Sequence, residues 1–244
     1  MLSNLLLSAA VLLLAINVVG ASGIIGVPRL RYEPWSLRAF AASLPDPKTC
    51  EPDLFCMLLS QALSERFRHG PARHTVWSNY LLCMLPRWAA KYATIELSAD
   101  LFRHSDQAHC HQIAQAFVDV ATRRGIEARM AGLDGHVVAE AFYYGGWHVF
   151  DPDYGVILHD QDRVVSLEEL LEDPDLTRRL YRNHRLKNDV EALIAVFEKK
   201  IVVRAPSGGH LSPRTAAWQR GARIAKWLLP VGMIGLALLL KFGS

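Results

Sequence analysis

The sequence has little cysteine: Cys50, Cys56, Cys83 and Cys110 are its only four in 244 residues. They form no CxxC pair and the histidines no HxxxH pair, so the usual spacing of a zinc site is missing. Charge of one sign is also scarce. Against 24 acidic residues stand 27 Lys and Arg, a net charge of +3, and no basic run is interleaved with aromatics. That excludes nucleic acid as an expected partner and gives no strong preference for a charged substrate. No internal repeat is visible, and no Lys or Arg precedes the first apolar run, where a secretory signal would carry one.

What is present concentrates between Ser105 and Tyr154. After Cys110, apolar or small residues fall at Ile113, Ala114, Phe117, Val118 and Ala121, a helical spacing that Arg123, Arg124 and Gly125 bring to a stop. The period then changes. EARMAG, HVVAEAFYY and WHVF are short β-leaning runs, the last two separated by Gly145 and Gly146. The expected class is therefore α+β: a helix carrying Cys110, followed by antiparallel strands that hold His136 and Asp151.

Thiol, imidazole and carboxylate are the ingredients of nucleophilic catalysis. A helix N-terminus and a neighbouring imidazolium lower the pKa of Cys110. His136 takes and returns a proton near neutrality. Asp151 fixes its tautomer and steadies the cation. If Gly145 and Gly146 form the two-residue turn, Tyr144 pairs with Trp147, and His136 and Asp151 share one face of the hairpin. Asp151 then sits four residues from the position opposite His136, roughly 13 Å along the strand. A bulge or an offset turn would close that gap; Asp153 and Glu140 are the alternative third partners.

The series Cys110, Ala114, Arg124, Gly125, Ile126, Ala128, Arg129, His136, Glu140, Trp147, Asp151 and Pro152 resembles the core of the transglutaminase-like superfamily over about 45 residues. The resemblance implies a papain-like fold, a Cys110, His136, Asp151 triad, and chemistry on peptide or protein amides through a thioester, with no cofactor and no metal. It covers transglutaminases, peptidases, peptide glycanases and members without activity. A catalytically silent domain binding a peptide or protein beside the membrane is thus the alternative. Gln107, Ala108 and His109 stand where a Gly-containing turn is more typical, which leaves the oxyanion donors open among Trp77, Asn79 and Gln107. Trp147 is expected as core or cleft wall and Glu140 as a polar anchor. A zinc set drawn from His104, His109, Cys110, His111 and His136 competes weakly for lack of spacing; His109 and His111 are expected on the solvated rim, where either can tune the thiol.

The two ends are apolar. Leu5 to Val27 is long enough to cross a bilayer, with Val19, Gly20 and Ala21 as a conceivable cleavage site if it is instead a signal peptide. Trp227 to Leu240, between Lys226 and Lys241, forms a second segment. The expected domains are a membrane anchor at 1–28, a catalytic domain at 29–200 with a helical N-terminal part, a linker at 201–219 and a membrane or interfacial helix at 220–244. Arg29, Arg31 and Arg38 follow the first segment and Arg214, Arg220, Arg223 and Lys226 precede the second. Positive-inside reasoning thus puts the protein in the membrane with its central domain cytoplasmic and both termini outside. With Cys110 reserved, three cysteines remain; Cys50 and Cys56 could bridge outside the cell, and all three could equally stay reduced inside. Between anchor and core, helices are expected around Trp35 to Ser43, over Phe55 to Arg68 and from Val76 to Met84. Beyond the core, Ser166 caps a helix that Asp173, Pro174 and Asp175 split in two, and Asp189 to Lys199 forms another.

Overall fold

In a computed structural model of the chain, the described residues are 1–22, 36–85, 87–182 and 190–242. In chain order they form α1 (Leu2–Ser22), α2 (Leu37–Ser43), α3 (Pro52–Arg66), β1 (Arg68–His69), α4 (Val76–Cys83), a 3-10 helix (Arg87–Ala93), α5 (Ser98–His104), β2 (Gln107–Ala108) and α6 (Cys110–Arg123). Then follow β3 (Glu127–Leu133), β4 (His136–Tyr143), β5 (Gly146–Phe150), β6 (His159–Asp160), β7 (Arg163–Val164), α7 (Leu167–Glu172), α8 (Pro174–Tyr181), α9 (Val190–Glu198), β8 (Val202–Arg204) and α10 (Pro213–Phe242). The class is α+β, as the change of period implies. The chain divides into two compact units: Trp35–Pro71 with Asp106–Pro213, and Met1–Pro34 with Ala72–Ser105 and Arg214–Ser244. Residues 72–105, read from the sequence as part of the central domain, thus group with the terminal helices.

The first unit is built on an antiparallel sheet in the order β5-β4-β3-β8. Helix α6 packs on β3 and β4, and Ile113, Ala114, Phe117, Val118 and Ala121 are all fully buried. Burying a side chain such as Phe117 is worth about 1.5–3 kcal/mol. Its ring stacks on Phe150 of β5 at 5.1 Å. Gly125, at φ 84°, ends the helix in a conformation that costs glycine little. On the sheet's other side Val138 and Val149 join a core with Leu167, Leu170, Tyr181, Leu193 and Phe197 from α7, α8 and α9. With both sides of the sheet covered, β4 shows almost no alternation of burial.

The β4–β5 turn is offset from the expected one. Tyr143 pairs with Gly146, so the two turn residues are Tyr144 and Gly145, both at positive φ (51° and 78°), as a tight hairpin requires. The face shared by His136 and Asp151 survives this shift. Their separation does not: the observed register, which ends at Ala139 opposite Phe150, extends to set Asp153 opposite His136, two residues from Asp151, a diagonal of roughly 7–8 Å that side chains can bridge.

Two other boundaries are corrected. Val202–Arg204, expected in the linker, pairs with Ala131, Gly132 and Leu133 as an edge strand, and α10 starts at Pro213 and not near 220. Ser166 caps α7 with Glu169 in a capping box. Asp173 then accepts from the N–H groups of Asp175 and Leu176 to start α8, as the break at Pro174 implies. Ser36 caps α2; residues 29–35, with Trp35 as the expected start of this helix, lie outside the described residues. All four cysteines are unbridged.

In the second unit every named element is a helix. Two of them, α1 and α10, are long and apolar enough to cross a membrane, with mean hydropathies of 2.3 and 1.7 over an 18-residue stretch of each, and they leave Leu5, Leu12, Leu228 and Leu239 exposed. Residues 23–28 of the expected anchor lie outside the described residues. Pro230 sits inside α10 and has no N–H for the carbonyl one turn earlier, that of Lys226. That oxygen instead accepts from Asn17 Nδ2 of α1 at 2.6 Å and from the Tyr80 hydroxyl of α4 at 2.7 Å. Gly20 passes so close to α4 that a Cβ there would lie 1.9 Å from the Trp77 carbonyl oxygen. The glycine that could mark a cleavage site therefore has a packing role.

Candidate active site

Three local structures bring the site together within the sheet unit. Cys110 is the first residue of α6, half-buried, where the helix dipole favours an anion. His136 opens β4 and is buried. Asp151 follows β5, bridges to Val156, and is fully buried.

His136 Nε2 lies 2.7 Å from Asp151 Oδ2, which leaves Nδ1 as the ring nitrogen for the thiol, and His136 and Cys110 are hydrogen-bonded. Asp151 is itself held firmly. Its Oδ2 also accepts from the Tyr181 hydroxyl at 2.8 Å, and its Oδ1 from the N–H groups of Asp153 and Tyr154 at 3.2 and 3.1 Å. The Tyr154 ring stands edge-on to His136 at 5.2 Å.

These contacts set the charges. Burial pushes the Asp151 carboxyl up, but the charge and hydrogen bond of His136, the Tyr154 N–H and the Tyr181 hydroxyl outweigh it and leave the pKa lowered. Burial would discharge His136, yet Asp151 and the thiol raise its pKa well above the ordinary imidazole value. Cys110 meets the same opposition: burial raises it, hydrogen bonds from His111 and His136 and the His136 charge lower it, Asp153 raises it, and the result is about 7. A thiolate beside an imidazolium is the state these directions favour.

The structure thus brings Cys110, His136 and Asp151 together, and places the reserve Asp153 beside them. Glu140, the other reserve, is elsewhere: fully buried, it takes Arg129 Nε at 2.8 Å and Arg204 Nε at 2.9 Å, an anchor for β3, β4 and β8. Trp147 carries the Arg129 guanidinium 3.7 Å above its ring. Of the rim histidines, His111 bonds the thiol, while the His109 ring lies 5.4 Å from that of His69 and 6.3 Å from that of His111. His104 falls in the other unit, where burial lowers its pKa to about 4. Trp77 and Asn79 fall there too, and Asn79 Oδ1 already accepts from the Leu81 and Leu82 N–H groups. Of the oxyanion candidates only Gln107 belongs to the site's unit, its side-chain oxygen lying over Gly70.

Two participants escape sequence reasoning. They are Tyr181, the last residue of α8, and His69, the last residue of β1. Neither has a local signal for a site formed by residues so distant in the chain.

Cys110, His136 and Asp153 each bring one donor atom within 4.8 Å of the others, close enough to share an ion. Each already has a protein partner, however: Cys110 and His136 each other, and Asp153 the His69 ring. The arrangement reads as an acid–base network, and no metal ligand is assigned. No family model, no curated protein and no solved structure matches this chain.

Proposed function

We propose that this chain is a membrane-tethered thiol enzyme of transglutaminase-like design that cleaves or transfers amides. The observation that carries the reading is His136 bonded on one side to the Cys110 thiol and on the other, at 2.7 Å, to a carboxylate that four donors hold in place.

The Cys110 thiolate attacks the amide carbonyl carbon, and the C–N bond breaks as His136 gives its proton to the departing amine. A thioester to Cys110 remains. Water or a second amine then attacks it, His136 takes the proton, and the thiolate leaves; water gives hydrolysis, an amine gives transfer. Asp151 stays ionised throughout and holds His136 with Nδ1 toward sulfur. The two terminal helices tether the domain, and the basic residues flanking both on the domain's side favour the cytoplasmic face. Peptide or protein amides are the substrate class.

The alternative, a catalytically silent domain that binds a peptide or protein, draws support from the lead-in Gln107, Ala108, His109. One measurement separates the two: the rate of Cys110 alkylation by iodoacetamide against pH, in the full chain and in His136→Ala, with the modified cysteine identified by mass spectrometry. The enzyme reading expects a midpoint near 7 that moves toward the ordinary thiol value, about 8.5, without His136. A midpoint at the ordinary value in both proteins would sink it.

A further inference from the structure

The triad leaves one buried acid unused. Asp153 is 1% exposed, and its carboxylate lies within 4.8 Å of both the Cys110 sulfur and a ring nitrogen of His136. Both its oxygens face His69 Nδ1, at 2.9 and 3.1 Å. The His69 side chain is 39% exposed, so it exchanges protons with solvent while its partner cannot. Asp153 is fixed by the turn that fixes Asp151, since its own N–H donates to Asp151 Oδ1. One short turn therefore sets a carboxylate on the imidazole and a second beside the thiol.

These two acids act in opposite directions. Asp151 supports the His136 cation and so the thiolate; Asp153 is a negative charge next to the sulfur and opposes it. We propose that Asp153 and His69 are positioning residues of the thiol site: Asp153 restrains thiolate formation at Cys110, and protonated His69 cancels that restraint. Resting on the thiol-enzyme reading above, the inference gives that site a solvent-facing control. A cationic His69 leaves Cys110 under the influence of His136 and His111 alone, whereas a neutral one lets the Asp153 charge reach the sulfur. Burial and Asp151 raise the Asp153 carboxyl from its ordinary value, with His69 and His136 pulling the other way.

The groups facing Asp153 are few enough for a clean test. They are Asp151 on its own turn, His69 from β1, Cys110 at the start of α6, His136 from β4, and Tyr181 from α8; His109 stands against His69 and His111 against Cys110. Arg68, the neighbouring cation, is paired with Asp106.

The experiment is the iodoacetamide profile of Cys110 in the full chain in detergent micelles, for the natural sequence, Asp153→Asn, His69→Gln, His69→Arg and the Asp153→Asn, His69→Gln double variant. Asp153→Asn should lower the thiol midpoint by about one unit, tenfold more thiolate on the acid side. His69→Gln should raise it, and His69→Arg, permanently charged, should hold it at or below the natural value. The double variant should match Asp153→Asn alone, because His69 acts only through Asp153. An unmoved midpoint in Asp153→Asn, or the same shift from His69→Gln with and without Asp153, overturns the proposal. If Asp153→Asn does not fold, the two His69 variants decide it: equal midpoints for Gln and Arg overturn it. A low midpoint in the natural chain with no response to these variants removes this pair and leaves the thiol enzyme standing, whereas an ordinary midpoint there removes both.

Discussion

Glu140 and Asp151 are both fully buried carboxylates of the sheet unit, and they do different work because their partners differ. Glu140 lies between Arg129 and Arg204, cations that never release a proton at physiological pH. Its charge is spent on locking β3, β4 and β8. Asp151 lies among His136, Tyr181 and two backbone N–H groups, and one of these partners, the His136 imidazole, carries a proton it can hand on, its pKa raised well above the ordinary value by this very contact. Its field is passed on to a mobile proton and through it to a thiol. A buried charge serves chemistry when something beside it can let a proton go, and structure when nothing can.

The largest expected effect attacks the structural side. Glu140→Ala leaves two arginines facing one another and should cost about 3 kcal/mol in denaturant unfolding, toward the lower end for a broken buried pair because both arginines partly reach water. The thiol midpoint of the folded fraction should stay put; a shift would erase the distinction between the two carboxylates.

Asp151→Asn should cost less stability, about 2 kcal/mol for the lost charged hydrogen bonds, and change the chemistry more. Without the carboxylate the His136 cation loses its support, and alkylation of Cys110 at pH 6 should fall roughly tenfold or more. The pH dependence of stability gives a second readout. Because the folded-state pKa of Asp151 is depressed, its contribution is present above the ordinary carboxyl value, about 4, and is lost as pH falls through the depressed value. The acid limb of stability should therefore be shallower in Asp151→Asn than in the natural chain.

Tyr181→Phe sharpens the comparison with the smallest change. It removes one hydrogen bond to a charged acceptor, worth about 1.5 kcal/mol, and should move the thiol midpoint by a fraction of a unit. Equal stability loss with no midpoint shift would show that Tyr181 serves the core alone.

Much of this is legible in the amino-acid sequence, and the residues show why. The α6 stripe, the stop at Gly125, the capping box at Ser166 and the break at Pro174 are written in neighbours three or four apart, so local pattern suffices. The β4–β5 turn is not, because Gly145 and Gly146 look like the natural pair, while Tyr144 at positive φ is a choice that only the packed hairpin can enforce. Strand β8 has three residues and exists by pairing with β3, which its composition does not reveal. His69 and Tyr181 reach the site from 41 residues before Cys110 and 30 after Asp151. The grouping of residues 72–105 with the terminal helices is likewise a tertiary fact.

Pro230 also imposes an order of events. Two of the donors that satisfy the Lys226 carbonyl sit on α1 and α4, and Asn17 is 209 residues away in the chain. At about 5–20 residues per second, ribosomal synthesis leaves α1 for roughly ten to forty seconds with its asparagine amide lacking this acceptor. For that interval the amide needs water or another acceptor, because a polar group left unbonded in apolar surroundings costs free energy. The arrival of α10 supplies the acceptor, so the helical unit gains this bond only when its last helix has been made.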